Sequence, residues 1–132
     1  MDHSDPSALR DLLPFAVTLG IELLEAGPDG VRGRLEWAAE HTTTGGLMHG
    51  GAIMSLADTC GGICAFLNLP PGAQGTATIE SKTNFLRAVR SGAATATTRP
   101  LHRGRTLIVV ETEVTRDDGK LAAKVTQTQV FS

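Results

Sequence analysis

From residue 41 to residue 79 the chain carries one formally charged side chain, Asp58, besides the titratable His41 and His49. This window holds the most apolar run, Leu47 to Leu69. A run of that length is about long enough to span a bilayer. Glycines at 50, 51, 61 and 62 and a carboxylate at its centre make a buried helix of a soluble protein the better reading. His49-Gly50-Gly51 opens that helix and Asn68-Leu69-Pro70-Pro71-Gly72 stops it, which places it from about residue 50 to about residue 67. Being apolar nearly all round, it is expected to have no solvent face, so other elements must wrap it.

The rest of the chain supplies the wrapping. Ile21–Ala26 and Val31–Ala38 flank Gly27-Pro28-Asp29-Gly30, and in the second segment Val31, Gly33, Leu35 and Trp37 alternate with Arg32, Arg34 and Glu36. That is a hairpin with one wet face. After Gly75 four more strands are expected over 76–86, 93–101, 106–115 and 121–131, with Arg90-Ser91-Gly92, Arg103-Gly104 and Asp117-Asp118-Gly119 as hairpin turns. Residues 39–48 read as loop. Ser4-Asp5-Pro6 begins a short amphipathic helix through Leu9, Leu12, Leu13 and Val17 that Gly20 ends, so residues 1–19 form an N-terminal helical segment. The fold class is α+β: about six mostly antiparallel strands around one long helix, in a single domain spanning 1–132.

Composition removes several functions. Twelve Lys plus Arg against 14 Asp plus Glu, net −2, and an aromatic content of 4% leave neither a basic field nor a stacking platform, so no nucleic-acid partner is expected. Cys60 and Cys64 lack further ligands nearby, so they read as buried thiols; no metal and no cofactor are expected. The first six residues carry acid where a secretory signal needs positive charge, and no apolar core follows them, so the protein is expected to be cytoplasmic, with no membrane partner.

Asp58 is the candidate for chemistry. A carboxylate in an uncharged buried helix costs several kcal/mol unless it is compensated, and such a site favours a functional role over a structural one. Gly50 and Gly51 put bare N–H groups at the helix N-terminus, where an oxyanion is stabilised. At 1.5 Å per residue, however, Asp58 lies about 11 to 12 Å further along the axis. One chain therefore does not bring both to one carbonyl; a second chain can.

Met48-His49-Gly50-Gly51-Ala52, Ser55-Leu56-Ala57-Asp58-Thr59, Thr78-Ile79-Glu80, Asn84-Phe85-Leu86-Arg87 and Gly104-Arg105-Thr106-Leu107, taken together, resemble the hotdog-fold acyl-CoA thioesterases. The resemblance covers about residues 20–130 and is to the branch typified by phenylacetyl-CoA thioesterases and the 4-hydroxybenzoyl-CoA thioesterase with an acidic residue on its central helix. It implies hydrolysis of an acyl- or aroyl-CoA to free acid and CoA. Gly50 would donate to the thioester oxygen, and Asp58 of the facing subunit would be nucleophile or general base. His49 would position the loop, unless it only caps the helix, and Thr78 would hold the attacking water, unless it is there for its β-propensity. Thr43 falls where some relatives carry Asn or Gln, and Gly51 lies beside the oxyanion donor.

For the CoA phosphates Lys82, Arg103 and Arg105 are the substrate-binding candidates, with the two arginines flanking a turn glycine foremost. Each also reads as a solvated strand-edge charge. The partner set is an acyl-CoA substrate and a second copy of the chain, as a dimer or a dimer of dimers. A hotdog hydratase or dehydratase is the alternative, but sites of that kind resemble an Asp followed five residues later by His, or a His facing an acidic residue on the helix, and here Ile63 stands five residues after Asp58. A non-catalytic acyl-CoA-binding hotdog protein is the other.

Overall fold

The computed structural model describes residues 5–132; Ser4, one of the two expected caps, lies outside them. Asp5 fills that role, its Oδ1 accepting from the N–H groups of Ser7 at 3.0 Å and Ala8 at 3.4 Å, with Pro6 in the first turn. The expected single helix is two. Helix α1 (Pro6–Asp11) stops and α2 (Pro14–Leu19) starts afresh, because Pro14 has no N–H to continue the ladder and holds Leu13 extended at φ −109°, ψ 96°. Gly20 closes α2 in the left-handed region at φ 83°.

Strands β1 (Glu22–Gly27) and β2 (Gly30–Glu36) form the expected hairpin, and residues 39–46 hold two single 3₁₀ turns rather than plain loop. Helix α3 (Gly50–Phe66) follows, then β3 (Thr76–Phe85), β4 (Ala93–Arg103), β5 (Leu107–Arg116) and β6 (Leu121–Phe131). All pairings are antiparallel, in the order β1-β2-β4-β5-β6-β3. The turns at Arg103-Gly104 and Asp117-Asp118-Gly119 are hairpins as expected, but Arg90-Ser91-Gly92 is not: β3 pairs with β6 and β4 with β2, so 86–92 is a crossover. It is held by backbone, with the N–H groups of Leu86 and Arg87 donating to Ala122 O and that of Met48 to Val89 O.

The sheet wraps α3 with a face of small residues. Val31, Leu35, Ala94, Ala96, Val110, Val114, Ala123 and Val125 are buried against Ile53, Leu56, Cys60 and Cys64 of the helix. Each large aliphatic side chain so buried contributes about 1.5 to 3 kcal/mol. Alternation on β5 is as the period of two requires, with Ile108, Val110, Thr112 and Val114 inward. The expectation that α3 has no solvent face is corrected: Gly51, Met54 and Asp58 are exposed in the chain and Ser55, Thr59, Gly62 and Phe66 half-buried along one stripe. Besides Met54, Asp58 and Phe66, that stripe is made of glycine, serine and threonine, and side chains so small and uncharged do not register as a wet face in a hydropathy pattern.

Gly33 on β2 marks the closest approach, since a Cβ there would lie 2.6 Å from Cys60 Sγ and 3.3 Å from Glu22 O. Gly33→Ala is therefore expected to destabilise the fold by about 1 to 3 kcal/mol. Combined with Cys60→Ala, the loss should be smaller than the sum of the two single losses. Urea unfolding of the three variants checks this, and strict additivity would contradict the contact.

Candidate active site

Asp58 sits on the open stripe of α3, facing the β3–β6 end of the sheet. Its Oδ1 accepts from Thr78 Oγ1 at 2.7 Å and from Gln127 Nε2 at 2.9 Å. Thr78 Oγ1 in turn accepts from Gln129 Nε2 at 2.6 Å, and Gln127 Nε2 also donates to Ser81 Oγ at 3.2 Å. Register explains the convergence: Thr78 lies opposite Gln129 and Ser81 opposite Gln127, so all four point at the helix. Asp58 Oδ2 has no partner among the described residues. The carboxylate is exposed in the chain rather than desolvated as expected, and hydrogen bonds, not burial, hold it.

Gln127 and Gln129 were not among the candidates read from sequence. The signal was there: with Val125 they form an alternating set on β6, and two amides on the buried face of a strand need polar partners.

At the start of α3, His49 Nδ1 accepts from Gly51 N at 2.7 Å, so His49 caps the helix and occupies the Gly51 N–H. The Gly50 N–H has no partner among the described residues and remains an available donor. The preceding segment is pinned by Trp37 Nε1 donating to Gly46 O at 2.9 Å and by His49 N donating to His41 O at 2.7 Å. The Phe85 ring lies over Gly50, where a Cβ would come within 3.1 Å of it.

Two cavities separate these groups. One of about 500 Å³ has Asp58 and Thr78 in its wall and is otherwise lined mainly by apolar side chains, among them Leu9, Leu12, Phe15, Ile63 and Phe66. The other, about 380 Å³, is lined by Thr43, Gly50, Ile53 and Phe85. One chain thus brings Asp58 together with Thr78, and Gly50 with Thr43, but not the two pairs with each other.

The three cations are not brought to one place. Arg103 is committed within the chain, its Nε donating to Asn68 Oδ1 at 2.9 Å and its Nη2 to Pro28 O at 3.0 Å, which ties the β1–β2 turn to the end of α3. Arg105 is exposed, with no partner among the described residues. Lys82 pairs with Thr126 on the sheet face opposite to that bearing Ser81 and Thr83, the face that also carries Arg99, Glu111 and Lys124. Burial pushes the thiols of Cys60 and Cys64 up to about 12 and about 11, so neither is a nucleophile near neutral pH. Among the described residues no group of three or more His, Cys, Asp or Glu side chains is placed to hold a metal ion, and no helix is long and apolar enough to cross a membrane.

Comparison with known proteins gives this arrangement a setting. The protein Rv1847 of Mycobacterium tuberculosis is 30% identical over 121 residues, covering 90% of this chain and 86% of that protein. The structure of thioesterase HI1161 from Haemophilus influenzae is 27% identical, covers 97% of this chain and 90% of its own, and superposes with a TM-score of 0.90. Thioesterase PA1618 from Pseudomonas aeruginosa, solved as a mutant, is also 27% identical with a TM-score of 0.90, over 96% of this chain and 93% of its own. The PaaI protein of the phenylacetic acid degradation operon of E. coli, at 21% identity and a TM-score of 0.85 over 96% of this chain and 89% of its own, shares the fold. A sequence profile of the Thioesterase superfamily matches residues 45–123, from the capping loop through α3 to β6, and this chain, with its six-stranded antiparallel sheet around one helix, belongs to that superfamily and has the hotdog fold.

Proposed function

We propose that the chain hydrolyses an acyl- or aroyl-CoA thioester to the free acid and CoA. The observation that carries this reading is Asp58, held through Oδ1 by Thr78 and Gln127 with Oδ2 left free at the wall of an apolar cavity. Asp58 Oδ2 acts on the thioester carbon, directly or by taking a proton from a water that attacks it. The carbonyl oxygen gains charge beside the Gly50 N–H, a type of donor worth about 3 to 4 kcal/mol in comparable sites. Collapse breaks the C–S bond and the CoA thiolate leaves without a strong general acid; on the direct route the mixed anhydride left on Asp58 is then opened by water, which releases the free acid and restores the carboxylate. The thioesterase names of the Haemophilus and Pseudomonas relatives support the same chemistry.

The site is completed by a second chain. Asp58 and Gly50 line different cavities, and the long edge strand β3 exposes Ile79 and Phe85, with Leu86 exposed just after it, and has one side of its backbone unpaired by the sheet. Such an edge, with its apolar side chains exposed, is a template for pairing with another chain. A two-fold dimer, paired again as a tetramer, covers it and sets the Asp58 of one chain against the Gly50 and Thr43 of the other. His49 acts by presenting Gly50, and Thr78 by orienting Asp58. The acyl group taken is uncharged and apolar, as the lining by Leu9, Leu12, Phe15 and Phe66 requires. Arg105 is the arginine left to meet the CoA phosphates, and the protein works in the cytoplasm, where such esters are made.

A hydratase would need an imidazole near the carboxylate, but buried Ile63 stands five residues after Asp58. Asp58→Asn should lower kcat by roughly two to four orders of magnitude across a panel of acetyl-, medium-chain acyl-, phenylacetyl- and hydroxybenzoyl-CoA, with thioester binding retained. Unchanged thiol release by the folded variant would falsify the reading. The two arginines should separate: Arg105→Ala raises KM and weakens its salt dependence, while Arg103→Ala lowers the melting temperature, as loss of a half-exposed clamp worth about 1 kcal/mol requires. The opposite assignment of effects would put the phosphates at Arg103.

A further inference from the structure

The geometry points to Gln127 and Gln129 as positioning residues for Asp58, with Gly61 the residue that makes room for them. This deepens the thioesterase reading and rests on it.

Both glutamines are about 1% exposed, on a strand face that also carries Ala123, Val125 and Phe131. An amide –NH2 only donates, so each Nε2 fixes the direction of the bonds it enters. Gln127 spends its two hydrogens on Asp58 Oδ1 and Ser81 Oγ. Gln129 Nε2 donates to Thr78 Oγ1, whose one proton is thereby sent to Asp58 Oδ1. Gln129 Oε1 is itself held by Thr76 Oγ1 at 3.4 Å. Thr78 Oγ1 and Gln127 Nε2 thus both reach the same carboxylate oxygen, and rotating the carboxylate would break two bonds. That keeps Oδ2 directed away from the brace.

Gln127 Oε1 is buried without any hydrogen-bond partner. A buried carbonyl left unpaired is costly, and turning the amide over would set that oxygen against the Asp58 carboxylate. The chain keeps the arrangement that serves Asp58. Gly61, three residues after Asp58 on α3, completes the device, because a Cβ there would overlap Gln127 Oε1. With any other residue at 61, the amide could not stay where it is.

The test uses the full chain in its native oligomer and follows kcat, KM and melting temperature for Gln127→Met, Gln127→Ala, Gly61→Ala and Gly61→Ala with Gln127→Ala. Gln127→Met keeps the length of the side chain without the amide. It is expected to lower kcat by about 10 to 100-fold and to move KM by less than about twofold, the scale of a misdirected reacting group. Gly61→Ala should lower both kcat and melting temperature. Adding Gln127→Ala to it should restore melting temperature while kcat stays low, since the overlap is relieved but the donor is still missing. Recovery of kcat together with melting temperature, or a Gln127→Met chain with the parent's kcat, would overturn the brace alone. A parent chain with no thioesterase activity would instead overturn the reading on which the brace rests.

Discussion

The close approach of α3 to the inner face of the sheet is the constraint on which the rest depends. Gly33, Ala94, Ala96 and Ala123 leave that face shallow, and Cys60 fills the gap over Gly33. A bulkier sheet face would lift the helix, and the amide of Gln127 would no longer reach a carboxylate on it. Packing and chemistry are therefore coupled through the same few small residues. Interiors at crystal-like density transmit such changes rather than absorb them.

The inner face is divided along its width. Its β2–β4–β5 part is mostly Ala, Val and Leu and holds the helix by burial, the one polar pair there being Thr98 and Thr112, which satisfy each other at 2.6 Å. Its β6–β3 part carries Gln127, Gln129, Thr78 and Ser81 and holds Asp58 by hydrogen bonds. The bulge between Thr78 and Glu80 matters here, since it shifts the period of β3 so that both Thr78 and Ser81 face the helix. The same edge strand presents Phe85 over Gly50, so β3 links Asp58 to the N-terminal end of α3, the two halves of the proposed site.

Much of this was legible in the sequence, and the parts that were not have definite causes. The extent of α3, the alternation in β2 and β5, and Asp58 as the lone charge of its window follow from strong local signals: a long apolar run, period-two patterns and an anomalous residue. The break at Pro14 was also written in the chain, but the amphipathic spacing of the leucines outweighed it. The β3–β4 crossover could not be read, because Arg90-Ser91-Gly92 looks like a turn wherever the strands go. Neither could the engagement of Arg103, which depends on Asn68 and Pro28 arriving from distant segments. Asp58 stands out for a reason only half right: it is anomalous in sequence, yet it is held by donors rather than by desolvation.

The central claim is that Gly50 of one chain and Asp58 of another form one site. Subunit complementation tests it most directly. Gly50→Pro deletes the N–H at a first-turn position whose backbone suits proline, since His49 is already extended at φ −60°, ψ 137°, with the exposed Phe85 ring giving by a few tenths of an ångström to admit the new Cβ. It and Asp58→Asn should each be inactive alone. Refolded together in equal amounts, they should recover about a quarter of the parent rate, because half of the dimers are mixed and each mixed dimer keeps one site with both groups intact. A mixture no more active than its two components would place Gly50 and Asp58 of the same chain in the same site and contradict the account.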